Sequence, residues 1–202
     1  MNQVIFDKEN HTYQRDGIFF PSCTEVVNFI LNNSKNYSNK SAMEFGTAVH
    51  ECLFLILQGY KIEMHPRVAL CVKQFFKWAI DNDIEVSNLI FQKHSIASNG
   101  YGWEIDLYYP PKHLLIDIKT GGVYDEPHYF QLMGYSQAII ETEWIAYKDR
   151  FPLMLNLYLG EIDYKEVSRI YSREKWLVFI SACHVLNYNK KLFMEAKNVA
   201  TD

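Results

Sequence analysis

Residues 101–122 read YGWEIDLYYPPKHLLIDIKTGG, and the fold turns on how this stretch divides. From Tyr101 to Tyr109 the odd positions are Tyr101, Trp103, Ile105, Leu107 and Tyr109, whereas Glu104 and Asp106 fall on even ones. Strand side chains alternate, so the two carboxylates share a face. Pro110-Pro111 interrupts the run because proline cannot donate to a strand ladder. Alternation resumes over 114–119, with Leu114, Ile116 and Ile118 on one face and Asp117 and Lys119 on the other, until Gly121-Gly122 ends it. Upstream, residues 89–96 read as a further strand. Asn99-Gly100 is a hairpin signal, since both residues tolerate positive φ. A three-strand meander over 89–119 is expected.

Outward from this centre, residues 4–6 and 12–13 read as short strands beside an Asp16-Gly17 turn. Pro21-Ser22-Cys23-Thr24 leads into a short helix over 26–31, and the Asn- and Ser-rich residues 34–41 read as a loop. Over 42–57, Phe45, Val49, Leu53, Ile56 and Leu57 recur at helical spacing, and so many other positions are apolar that burial on most sides is expected. A second helix follows Pro66, with Val68, Val72, Phe75, Phe76 and Ala79 on its inner stripe, and ends at Asp81-Asn82-Asp83. Pro127 suits the first turn of a helix to about residue 140, placing Gln131 and Tyr135 four apart on one face. A hairpin around Gly160 and a C-terminal helix over about 172–189 complete an α/β reading: a mixed sheet flanked by helices.

The chain has 202 residues, 49% of them hydrophobic, enough for one domain with a full core over 1–202. Its net charge of −4 argues against coating nucleic acid by bulk electrostatics, while a local basic groove stays compatible. Cys23, Cys52, Cys71 and Cys183 are scattered without metal-site spacing and read as reduced thiols. Neither a signal peptide nor a membrane span is legible, so the expected location is cytoplasmic, with no membrane partner.

A D-x-K triplet is weak evidence, because this composition supplies about one by chance. The chain holds two, and Asp163-Tyr164-Lys165 lacks the context of Asp117-Ile118-Lys119, which ends an apolar strand beside a partner carrying Asp106. A divalent cation needs oxygen ligands, which carboxylates on adjacent strands supply, and a lysine beside them can stabilise developing negative charge at a phosphate. An exposed ion pair between Asp117 and Lys119 is the plain alternative. His50 reads either as a ligand or as a hydrogen-bonded core histidine. Gly46, one turn earlier, would let a backbone or a substrate approach. Gln131 and Tyr135 fit a site or merely the polar edge of a helix. Tyr101, Trp103, Tyr108 and Tyr124 could stack on bases or pack the core.

Taken in order, Pro21-Ser22-Cys23-Thr24, Gly46-Thr47-Ala48-Val49-His50-Glu51, Gly102-Trp103-Glu104-Ile105-Asp106, Leu115-Ile116-Asp117-Ile118-Lys119-Thr120-Gly121 and Gln131-x-x-x-Tyr135 resemble the RecB-like, phage-type exonuclease branch of the PD-(D/E)xK nuclease superfamily. The resemblance covers about residues 21–135. It implies a restriction-endonuclease-like core over about 21–160, with one or two Mg2+ or Mn2+ ions held by Asp106, Asp117, the Ile118 carbonyl and His50. It further implies Lys119 as the catalytic cation and Gln131 and Tyr135 as contacts to the DNA strand or supports of that lysine. The implied activity is exonucleolytic hydrolysis at DNA ends or single strands in phage or bacterial DNA recombination and processing. DNA is the implied partner, with a recombinase, single-strand-binding protein or helicase as candidate protein partners. Two departures stand out. Gln92 occupies the place where many relatives carry glutamate, with Glu104 or Glu51 as candidate substitutes, and the cysteines of the iron–sulfur relatives are missing, so no cluster is expected. A weakened nuclease acting as a DNA-binding scaffold and an endonuclease are the alternative functions.

Overall fold

The computed structural model describes residues 4–7, 12–32, 40–122, 125–143, 151–160 and 162–199. In chain order its elements are β1 (Ile5–Asp7), β2 (Thr12–Arg15), β3 (Ile18–Phe20), α1 (Cys23–Ile30), α2 (Lys40–Leu57), α3 (Pro66–Asp81), β4 (Ile90–Phe91), β5 (His94–Ile96), β6 (Gly102–Glu104), β7 (Leu107–Tyr109), β8 (Leu114–Lys119), α4 (Asp125–Glu143), β9 (Leu153–Tyr158), β10 (Lys165–Arg169) and α5 (Arg173–Val199). The five-stranded sheet has the order β10-β9-β8-β7-β4, with β8 and β9 parallel and the other pairs antiparallel. Helix α4 makes the crossover that a parallel pair requires.

Strand β8 is central, and its alternation separates two cores. Ile116 and Ile118 join Leu107, Leu155 and Leu157 against α2 and α3. Leu115 joins Tyr108 and Met154 against α1, α4 and α5. The result is the expected mixed sheet between helical layers. Burying Leu115, Ile116 and Ile118 stabilises the fold by roughly 1.5–3 kcal/mol each, which anchors the strand that also carries Asp117 and Lys119.

The expected meander is there, but its first two strands are bent. In the hairpin, β4 pairs Ile90 with Tyr108 in the large sheet, whereas β5 pairs His94 with Glu104 in a separate two-stranded one. Gln92 at the bend takes φ +49°, and the ladder crosses it through Gln92 N–H to the Asp106 carbonyl (3.3 Å) and Ile105 N–H to the Lys93 carbonyl (3.0 Å). The register is kept through the bend, which alternation alone does not reveal. At the tip, Gly100 alone takes positive φ (+77°) and the Ala97 N–H donates to the Tyr101 carbonyl. The loop is therefore three residues ending in a left-handed glycine, not a two-residue Asn-Gly turn. By contrast, Asp16 (φ +54°) and Gly17 (φ +79°) do form a two-residue turn with both residues left-handed.

Helix α2 corrects a second expectation. Only Val49, Leu53 and Phe54 are buried, while Met43 is 57% exposed and Leu55 38%, so this helix covers the sheet with one face. Apolar composition overstated its burial because Met43 borders the cleft described below and Leu55 faces away from the core. Of the Asn- and Ser-rich stretch, residues 34–39 lie outside the described residues. Residues 40–41 belong to α2. The four cysteines are free, as read.

The segment before α1 is tied to the hairpin. Ser22 accepts from the Glu25 N–H as the α1 N-cap, and the Gly102 N–H donates to the Pro21 carbonyl at 2.8 Å. A Cβ at Gly102 would meet the buried Tyr13 ring at 1.9 Å. Gly102→Ala is therefore expected to lower unfolding free energy by about 1–3 kcal/mol through overpacking. Urea unfolding of the two proteins, with no shift in midpoint, would show that Tyr13 has room to move.

Candidate active site

Leu107 pairs with Ile116 across β7 and β8, so Asp106 and Asp117 stand at the next position of each strand, where β7 has ended and β8 continues. The Ile118 N–H donates to Asp106 Oδ2 at 2.7 Å. A strand residue points its N–H and C=O to the same side, so the Ile118 carbonyl is directed the same way. From α2, His50 Nδ1 lies 3.2 Å from Asp106 Oδ1. Gly46 explains how α2 comes so near: a Cβ there would sit 3.1 Å from Thr120 Oγ1 at the end of β8.

Asp117 is 1% exposed, and both its oxygens are engaged: Lys119 Nζ donates to Oδ1 at 2.8 Å and Asn156 Nδ2 to Oδ2 at 2.8 Å. Lys119 also donates to Gln131 Oε1 at 3.0 Å, and Gln131 Nε2 donates to the Tyr135 hydroxyl at 2.7 Å. The four-residue spacing on α4 thus serves a continuous chain from Tyr135 to Asp117. All seven predicted residues, His50, Asp106, Asp117, Ile118, Lys119, Gln131 and Tyr135, line one cleft of about 730 Å³, together with Gln92, Glu51 and Glu104. An exposed ion pair does not describe Asp117 and Lys119, and His50, in contact with Asp106, reaches the cleft with its side chain 25% exposed.

The electrostatics follow from burial opposed by neighbours. Burial, with Asp106 adding repulsion, lifts the Asp117 carboxyl to about 6 even against Lys119. Burial would also raise Asp106, but His50, Lys119 and the Ile118 N–H hold it below the usual carboxylate range. His50 is drawn down by burial and more than restored by Asp106, ending above its ordinary value. Lys119 follows the same logic, with Asp117 and Asp106 outweighing burial.

Among the described residues no three His, Cys, Asp or Glu side chains converge as a ready-made metal cage. The donor set is nonetheless chemically apt for a hard divalent ion: two carboxylates and a backbone carbonyl, with one imidazole in reach. Burial raises the Asp117 carboxyl and the neighbouring Asp106 adds repulsion, so a cation beside the two would favour their charged forms. His50, Asp106, Asp117 and Ile118 are the residues able to hold it.

The aromatic candidates divide differently. Tyr101 and Tyr108 are fully buried, with the Tyr101 hydroxyl donating to the Gly134 carbonyl and Tyr108 bonded to His113, so neither offers a face for stacking. Trp103, 1% exposed, is core at the cleft floor. Tyr124 lies outside the described residues. Sequence reasoning missed Asn156 and the Arg169 beyond it, whose Nε donates to Asn156 Oδ1 at 3.4 Å. A signal existed: Asn156 is a lone polar residue in the apolar run of β9, and it pairs in register with Asp117.

No family model matches the chain, and no curated protein does. Among solved structures it is similar to a phage related exonuclease from Haemophilus somnus 129PT, at 15% identity and a TM-score of 0.47, over 87% of this chain and 96% of that one. Likeness at that level leaves the chemistry of this chain to its own residues.

The His50–Asp106 contact makes a direct prediction. In Asp106→Asn the main counterweight to burial is lost and only the weaker pull of Asp117 still favours the charged imidazole, so the His50 pKa should fall. NMR titration of the His50 ring in EDTA reads this, and an unchanged midpoint would mean that the pair does not form.

Proposed function

We propose that this chain is a Mg2+- or Mn2+-dependent deoxyribonuclease that hydrolyses phosphodiester bonds at DNA ends or in single strands, using one or two ions and no iron–sulfur cluster. The observation that carries the reading is the placement of Asp106, just before β7, opposite Asp117 on β8, with Lys119 bonded to both Asp117 and Gln131. The ordered motif series over residues 21–135 supports the same reading.

In this mechanism Asp106, Asp117, the Ile118 carbonyl and His50 hold the metal, which when bound supplies Lewis-acid polarisation of the phosphate and a more acidic water. Lys119 places an ammonium beside the scissile phosphate and stabilises negative charge that develops on its oxygens. Gln131 fixes the direction of that ammonium, and Tyr135 fixes Gln131. Both also stand at the cleft wall, where a DNA strand would pass. Burial of Asp117 beneath Lys119 excludes water from the side of the carboxylate away from the substrate. DNA recombination or processing is the proposed setting, in the cytoplasm of a bacterium or phage-infected cell, with a recombinase, single-strand-binding protein or helicase as partner.

One observation favours a second reading, a DNA-binding scaffold with a weakened site: Gln92 stands at the bend opposite Asp106 where an acid would add a ligand, and no three ligand side chains converge among the described residues. End-labelled single-stranded, duplex and circular DNA incubated with Mg2+, Mn2+ or EDTA separates the readings. Metal-dependent loss of linear DNA, reduced at least about 100-fold by Lys119→Ala and by Asp117→Ala, is the expected result. Cleavage of closed circles would assign an endonuclease, and survival of every substrate would leave the scaffold.

A further inference from the structure

The residue that pins the buried acid of the cleft from behind is Asn156. Its side chain is fully buried in β9, whose other buried residues, Met154, Leu155, Leu157 and Tyr158, are apolar or aromatic. A leucine would fill such a position without the cost of burying an amide. The amide is used on both sides: Nδ2 donates to Asp117 Oδ2 at 2.8 Å, and Oδ1 accepts from Arg169 Nε at 3.4 Å. An amide could face either way, but a guanidinium can only donate. Arg169 therefore forces the oxygen toward itself and the NH2 toward Asp117. Arg169 is itself held, standing on β10 with its guanidinium carbon 5.5 Å from the centre of the Tyr129 ring on α4.

The two bonds to Asp117 come from opposite directions. Lys119 takes Oδ1 from the cleft side, and Asn156 takes Oδ2 from the neighbouring strand. Together they fix rotation of the carboxylate and leave each oxygen a further lone pair. Lys119 alone would leave the carboxylate free to turn about its contact.

We propose that Asn156, oriented by Arg169, is a positioning residue that sets the plane of the Asp117 carboxylate for binding a divalent cation. This rests on the nuclease reading above. Groups behind metal-ligating carboxylates alter affinity or activity by roughly 10–100-fold when removed, and that is the size expected here.

The test uses the full chain, with Mn2+ as the probe, followed by calorimetric titration and by single-turnover DNA cleavage. Asn156→Asp keeps the side-chain size but turns a carboxylate toward Asp117. It is expected to weaken Mn2+ binding about 10–100-fold and to lower kcat similarly, with KM for DNA within about twofold of wild type. Arg169→Gln should lose affinity in the same direction by a smaller factor, and Arg169→Lys should recover most of it. Unchanged Mn2+ affinity in a folded Asn156→Asp protein overturns the proposal. If that variant does not fold, Arg169→Gln decides, and wild-type affinity there overturns it equally. A wild-type protein that neither binds Mn2+ nor cuts DNA sinks the nuclease reading and this inference with it, whereas wild-type binding with unaffected variants sinks this inference alone.

Discussion

Two carboxylates must be kept buried, close and charged at the end of a sheet, and most of the local architecture answers that constraint. Isolated ionised acids are costly to bury, and Asp117 shows the strain in a carboxyl lifted to about 6. Compensation comes from three directions: Lys119 two residues on, Asn156 from the next strand, and the His50 imidazole acting through Asp106. Each is supplied by a different element, so the site exists only when β7, β8, β9, α2 and α4 are assembled.

The helices divide their work accordingly. Helix α3 is chiefly packing, with Phe75 and Trp78 fully buried against the sheet. Helix α4 does both jobs: Leu132, Met133 and Ala138 face the core, while Gln131 and Tyr135 carry a hydrogen-bonded line to Lys119. Helix α2 buries Val49, Leu53 and Phe54 on one face and presents Gly46 and His50 to the cleft. The exposure of its early apolar positions fits a segment that borders an opening.

The bend at Gln92 is the feature that separates a simple hairpin from a site. Next to it the β7–β8 pairing stops at Leu107, and the Ile118 N–H donates to the Asp106 carboxylate rather than to a strand carbonyl. A left-handed non-glycine residue at the bend costs conformational energy, and such positions gather at functional sites.

Much of this was legible in the residues themselves. The period-two pattern over 114–119 determined which side of β8 carries Asp117 and Lys119, and Gly100, Asp16-Gly17, Pro66 and Pro127 marked turns and helix starts, because these signals are local and depend on backbone sterics. The ordered motifs pointed to His50, Asp106, Asp117, Ile118, Lys119, Gln131 and Tyr135, and the structure gathers them in one cleft. Only the tertiary structure decided the bend of the hairpin, the exposure of α2, the burial of Tyr101 and Tyr108, and the contact of Asn156 with Asp117. Those depend on packing between segments far apart in the chain: Asn156 and Asp117 are 39 residues apart and meet because β8 and β9 run parallel across an intervening helix.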